Sequence, residues 1–284
     1  MSYQTILVHV DDTPDVGRRI RLAAALAQRF GAHLVGAAAT GVAHQWVPRA
    51  APADSAPALA LHLSFLRAQA RQALAGFTRE AEACGLDAFE ARLLDDEAGA
   101  GISLLARGAD LVVIGQRPPH ARRAAGVPDF DDQVLRHSAR PVLIVPYTGA
   151  LARVGTRVLL GWDAGEAAAR AMLLALPLLR QAQSVHIAVF EAARPHGAAN
   201  SLDPRPYLAR HGIRAELSIH RHEDERVRRQ RHPLGEALLS LATDLSADLL
   251  VMGASGHSRL RTSLRGGVTR TVCAAMTIPV LMAH

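Results

Sequence analysis

The chain has no lysine; all 32 of its Lys and Arg positions are arginine. That absence removes the Walker A lysine, the Schiff-base lysine and the kinase strand lysine together, and with them P-loop phosphoryl transfer. Cysteine is almost as scarce. Cys84 and Cys273 lie far apart and outside any CxxC, which predicts free thiols in a reduced, cytoplasmic compartment. No apolar run approaches the roughly 18 residues of a membrane span. The first residues enter a strand-like segment without a basic and then apolar leader, so no secretion signal is expected. Aromatics make up only 4% of the residues, and none interleaves with the densest basic run, Arg221 to His232, which carries three acids of its own. The formal charge of +6 is therefore read as a solvated arginine-rich surface, and nucleic acid is set aside as a partner.

What is present is written twice. Ala109-Asp110-Leu111-Val112-Val113-Ile114-Gly115 returns as Ala247-Asp248-Leu249-Leu250-Val251-Met252-Gly253, and Pro141 to Val145 returns as Pro279 to Ala283 at the same spacing of 138. Ile6 to Asp11 returns as Val158 to Asp163 at a spacing of 152, so the first copy carries about 14 extra residues, placed in the Pro/Ala-rich segment Val47 to Pro57. Each copy alternates strands and helices. The strands are Ile6 to Asp11, His33 to Ala38, Asp87 to Leu94 and Leu111 to Ile114, then Val158 to Asp163, Ser184 to Glu191, Arg214 to His220 and Leu249 to Met252, with a fifth strand closing each copy. This pattern predicts an α/β chain of two tandem doubly wound domains, residues 1–150 and 151–284, each a five-stranded parallel sheet flanked by helices. Ligands of such sheets sit beyond the strand carboxyl ends at a switch point. Asp163 and Gly253 both end strands and can line one crevice there.

The most informative motif lies past the ninth strand, as Met252-Gly253-x2-Gly256-x9-Gly266-Gly267-Val268-Thr269. A strand, a glycine loop and a helix N-terminus make an anion site: backbone N–H groups point at a phosphate and the helix dipole favours negative charge. With the strand-end aspartates and the two copies, the chain resembles a tandem universal stress protein. The resemblance implies an adenine-nucleotide alpha-hydrolase-like fold and a stress-response ATP-binding protein that acts as a ligand-linked regulator, with ATP (or ADP or AMP) as its expected ligand and Mg²⁺ accompanying it. By that resemblance Asp163 faces the adenosine and the Val189 backbone faces adenine; Gly256, Gly266, Gly267 and Val268 offer backbone N–H groups to the phosphates, Met252, Gly253 and Thr269 belong to the same binding set, and His257 is either a phosphate contact or a loop cap. Trp162 is either a base-side contact or a core residue, and Asp163 equally suits a helix-starting turn. The family pattern has Ser or Thr where Gly267 stands, so a hydroxyl is missing that Thr269 replaces in part. Family members pair through their fifth strands, which here implies an intramolecular pseudo-dimer or a homodimer, with an unidentified protein partner and no membrane.

The first copy departs from the motif. Pro118 and Pro128 replace Gly256 and Gly266, and Asp129 and Asp131 replace Gly267 and Thr269. Proline removes a donor and aspartate puts negative charge where phosphate would sit, so this copy is expected to be a degenerate, silent domain. Arg259, Arg261 and Arg265 are phosphate-side candidates of the second copy. Fourteen histidines raise a metal reading centred on His220-x-His222, with His211 and His232 nearby, but no Cys or HExxH accompanies them and no metal site is expected. Asp95-Asp96-Glu97 reads as an acidic helix start. No G-x-S-x-G elbow or paired carboxylates appear, so no catalytic residue is assigned. The alternatives to nucleotide-linked regulation are a slow ATPase or phosphotransferase, a scaffold without ligand, and a polyanion binder driven by the arginines, which would show steep salt dependence.

Overall fold

The computed structural model describes residues 2–42, 56–117, 129–149, 153–191, 202–221, 233–254 and 267–284. Among them the first copy contains β1 (Thr5–His9), α1 (Val16–Phe30), β2 (His33–Ala39), α2 (Ala56–Ala83), β3 (Phe89–Leu94), α3 (Ala98–Leu105), β4 (Leu111–Gly115), α4 (Phe130–His137) and β5 (Val142–Val145). The second contains β6 (Arg157–Trp162), α5 (Glu166–Leu179), β7 (Ser184–Glu191), α6 (Arg205–Arg210), β8 (Glu216–Arg221), α7 (Pro233–Asp244), β9 (Leu249–Gly253), α8 (Gly267–Ala275) and β10 (Val280–Ala283).

The described residues fall into two compact units, one of residues 2–115 and 129–140, the other of 116–117 and 141–284. The first unit orders its strands β3-β2-β1-β4, all parallel. The second orders its strands β5-β10-β9-β6-β7-β8. There β10-β9-β6-β7-β8 run parallel, and β5 lies antiparallel to β10 with Leu143 opposite Leu281. All four residues of β5 and of β10 are buried, so this pairing covers two short apolar strands.

Central strands read as continuous apolar runs because helices cover both faces. Ile6, Leu111, Ile114, Leu159 and Leu160 are fully buried. Helix α1 buries Ile20, Ala23, Ala24 and Ala27 on one stripe at helical spacing. Phe77 of α2 rests on Gly36 of β2, and its full burial contributes about 2–3 kcal/mol. The repeated Ala-Asp-Leu has its own task. Asp110 accepts the N–H groups of Gln4 and Thr5 at 2.8 and 3.0 Å, and Asp248 accepts those of Thr156 and Arg157 at 2.8 and 3.0 Å. Each aspartate pins the start of its copy's first strand beside the fourth.

Candidate functional site

In the second unit the chain order turns around between β6 and β9, the switch point of the parallel sheet. The two strands pair only as far as Leu160 with Val251, before Trp162 and Gly253 that end them. The strand ends beyond that register frame the crevice. Asp163, which follows β6, is exposed. Its Oδ1 accepts the Gly165 N–H at 2.8 Å, so it does form the turn that starts α5. Between them Ala164 has φ +57°, a left-handed setting that a non-glycine residue adopts at a cost.

Trp162 and Val189 are register partners on β6 and β7, and both are buried. The Trp162 indole N–H donates to the Leu202 carbonyl at 3.1 Å, which places this ring in the core with its polar group in use. Met252 is buried as well. Gly253 faces the first turn of α5 so closely that a Cβ would stand 2.6 Å from the Ala168 nitrogen. Its glycine is thus demanded by helix–strand packing, whatever the crevice holds.

Helix α8 begins at Gly267 with no acidic residue in its first turn. Val268 is half-buried. Thr269 is 6% exposed, and its Oγ1 has no hydrogen-bond partner among the described residues. A buried hydroxyl left unpaired costs about 1–3 kcal/mol, and this one sits in the first turn of a helix, where backbone N–H groups also lack intrahelical partners. Gly256, His257 and Gly266 lie outside the described residues, as do Arg259, Arg261 and Arg265.

The corresponding place in the first unit is filled by the protein itself. Arg19, 4% exposed on α1, reaches the end of β4, where a Cβ on Gly115 would stand 2.2 Å from its guanidinium. The same guanidinium donates to Asp11 Oδ1 at 2.7 Å, and Asp11 also accepts the Thr13 N–H at 3.1 Å. Burial pushes the Asp11 carboxyl up, but Arg19, His9 and the Thr13 hydrogen bond outweigh it and hold the group below its ordinary range. His9 lies 3.6 Å from Asp11. Burial, with Arg19 adding and Asp11 opposing, lowers His9 to about 4, so the imidazole is neutral at pH 7. The His9 ring packs on Phe130 at 4.4 Å between centroids.

Helix α4 then starts on Asp129, with Asp131 and Asp132 in its first turn. These carboxylates meet the positive end of the helix dipole directly, at positions matching Gly267, Thr269 and Arg270. Pro118 and Pro128 lie outside the described residues. A cleft of 710 Å³ opens beside α1, but Asp15 and Glu80 alternate there with Arg18, Arg21 and Arg79, so it favours neither charge.

The acidic trio after β3 is a helix start as read. Glu97 accepts the N–H groups of Gly99 and Ala100, and Asp95 pairs with Arg67 at 2.8 Å. Sequence reasoning missed Arg19, His9 and Phe130. One signal was legible: the spacing of 152 sets Arg19 against Ala171, a charge against an alanine on a buried helix face.

The universal stress protein family profile matches residues 2–146 and 156–284, which together make up nearly the whole chain. The chain belongs to the universal stress protein family. A curated universal stress protein of Synechocystis is 28% identical over 177 residues, 61% of this chain; the match spans 57% of the relative's length. Among solved structures, a universal stress protein from Archaeoglobus fulgidus has a TM-score of 0.70 at 16% identity, over 98% of this chain and 95% of its own. A functionally unknown protein from Pseudomonas aeruginosa has a TM-score of 0.56 at 18% identity, over 98% and 92%. At such identity the structures speak for the fold. This tandem universal stress protein therefore carries two copies of the family fold whose strand-end crevices differ in chemistry. No described helix is long and apolar enough to cross a membrane.

Proposed function

We propose that the second domain binds one adenine nucleotide at the β6–β9 switch point, and that the first domain binds none. The two domains are taken as residues 1–150 and 151–284. The observation that carries this reading is the contrast between equivalent helix starts. Helix α8 presents Gly267, Val268 and the unpartnered buried hydroxyl of Thr269, with no acid in its first turn. Helix α4 presents Asp129, Asp131 and Asp132 beside a strand end stopped by Arg19. The first arrangement fits a phosphate and the second repels one.

In this reading Gly267, Val268 and Thr269 hold phosphate through backbone N–H groups and one hydroxyl. Gly256, His257 and Gly266 complete the loop. Asp163 and the Val189 backbone take the adenosine, and Trp162 and Met252 form the floor. ATP with Mg²⁺ is the form proposed; the metal would screen charge between phosphates in a chain without lysine. The nucleotide acts as a regulatory ligand, altering a surface read by a protein partner through its different affinity for two states. A cytoplasmic location suits the two free thiols.

The test is to denature the purified full chain without added nucleotide and identify what it releases by mass spectrometry. About one ATP, ADP or AMP per chain is expected. Two per chain would refute a silent first domain. None released, and none bound on adding Mg-ATP, would refute nucleotide binding and leave the scaffold reading, which Gly267 in place of Ser or Thr favours. Steady ADP production dependent on Asp163 would instead establish a slow ATPase.

A further inference from the structure

In the first unit α2 lies across β2 and β3, with Phe77 on Gly36. By register Gly36, beside Val8, corresponds to Ile187, beside Leu160, and the described helix between β7 and β8 is the six-residue α6. The opposite face of β7, around Ala188, carries its own set of side chains. His186 is in register with Glu216, Ala188 with Ser218, and Phe190 with His220. Alternation puts all six on one face.

Because Ala188 is only a methyl group, Ser218 stands between two imidazoles. Its Oγ lies 2.7 Å from His186 Nε2 and 2.7 Å from His220 Nε2. A hydroxyl has one proton, so Ser218 donates to one ring and accepts from the other. Glu216 has a carboxylate oxygen 3.7 Å from His186 Nδ1, which favours the ring proton on that nitrogen and leaves the Nε2 lone pair facing Ser218. The His220 ring is stacked on Phe190 at 4.8 Å and 20°.

We propose that His186 and His220 bind one divalent transition-metal ion of the zinc, nickel and copper class. Ser218 Oγ is a neighbouring oxygen ligand and solvent fills the remaining positions. Two imidazole nitrogens converging on one oxygen suit these borderline metals, whereas magnesium and calcium take oxygen ligands. A carboxylate behind a metal-binding imidazole is the usual outer support of such sites, fixing the tautomer and ring orientation. Among the described residues no group of three or more His, Cys, Asp and Glu offers a metal site. The site is therefore an open one of two imidazoles, a hydroxyl and water. His220 shares Ser218 with His186 on the neighbouring strand β7; His222 and His232, which the sequence grouped with it, lie outside the described residues. The bound ion would tie the outermost strand β8 to β7 through side chains as well as the backbone ladder.

The test is calorimetric titration of the untagged full chain, stripped with a chelator, with zinc chloride. One saturable site per chain is expected. It should be lost in H186Q and in H220Q, and retained but weakened about tenfold in S218A, where water replaces the hydroxyl, and in E216Q. In the wild-type protein, long-range ¹H–¹⁵N spectra of the imidazoles should shift at Nε2 of His186 and His220 on adding zinc. That readout stands even if a variant folds poorly. An unchanged titration in the folded H186Q/H220Q double variant, or shifts confined to other histidines, would overturn the assignment. Loss of zinc binding in S218A with both imidazoles unaffected would overturn the two-histidine ligand set.

Discussion

At the scale of single residues, the first unit's plug has consequences for pH and stability. His9 has a native pKa of about 4 against an ordinary value of 6.5. Between those values the unfolded chain binds a proton that the folded chain does not, so stability rises with pH across this window. The contribution is fully present above pH 6.5 and is lost on acidification through about pH 4. We predict that denaturation of the wild type, followed from pH 7 to 4, loses on the order of 2–3 kcal/mol more than H9Q does. Equal slopes in the two proteins would show that His9 titrates normally in the fold. Asp11 acts at lower pH in the same direction: its lowered pKa adds stability that fades as the carboxylate is protonated.

Removing the Arg19 cation leaves that carboxylate partly buried and unpaired. R19A is predicted to cost about 2–3 kcal/mol in a urea titration, tempered by the solvent that reaches Asp11, and to raise the Asp11 pKa. A neutral outcome would show that water replaces the guanidinium. G253A pushes a methyl toward the α5 backbone and is predicted to destabilise the second unit by about 1–3 kcal/mol, irrespective of any ligand.

At the scale of elements, the decisive comparison is between two helix starts of the same fold. Giving α8 the aspartate that stands at the matching position before α4, Gly267→Asp, should abolish nucleotide binding while leaving the circular dichroism spectrum unchanged. T269V removes a hydroxyl with no volume change and is predicted to weaken binding about five- to tenfold, the worth of one hydrogen bond. Retention of wild-type affinity in G267D would remove phosphate from this helix start. Much of this element pattern was legible beforehand. The apolar runs of β4 and β9 could only be buried strands, and the repeat carried the reading of each copy to the other. A pairing of the two fifth strands was implied by the family resemblance and suits their apolar segments; its direction and register required coordinates.

At the scale of the whole molecule, the two copies differ at equivalent places: α8 starts without an acid in its first turn, whereas the first unit sets Arg19, Phe130 and carboxylates at its strand ends and helix start. Hydrogen exchange with and without saturating Mg-ATP should therefore show added protection in β6, β9 and α8 but none in β1, β4 and α4. Ligand at a hundred times its dissociation constant stabilises the binding state by about 2.7 kcal/mol, ample to be seen. Protection spread equally over both units would contradict a single site.

The sequence by itself determined the duplication, the alternating α/β order, the strand-end positions of Asp163 and Gly253, and the loss of glycines in the first copy. These rest on composition and on periods of two and 3.6 residues, which any chain must obey to bury its apolar faces. Tertiary structure alone decided that Arg19 crosses to Gly115, that Gly253 is held by α5, that the Thr269 hydroxyl is buried, and that His186 and His220 share Ser218. Each of these depends on strand register and rotamers between residues distant in the chain. A one-residue slip of β8 would turn Ser218 and His220 to the other face without altering the sequence pattern.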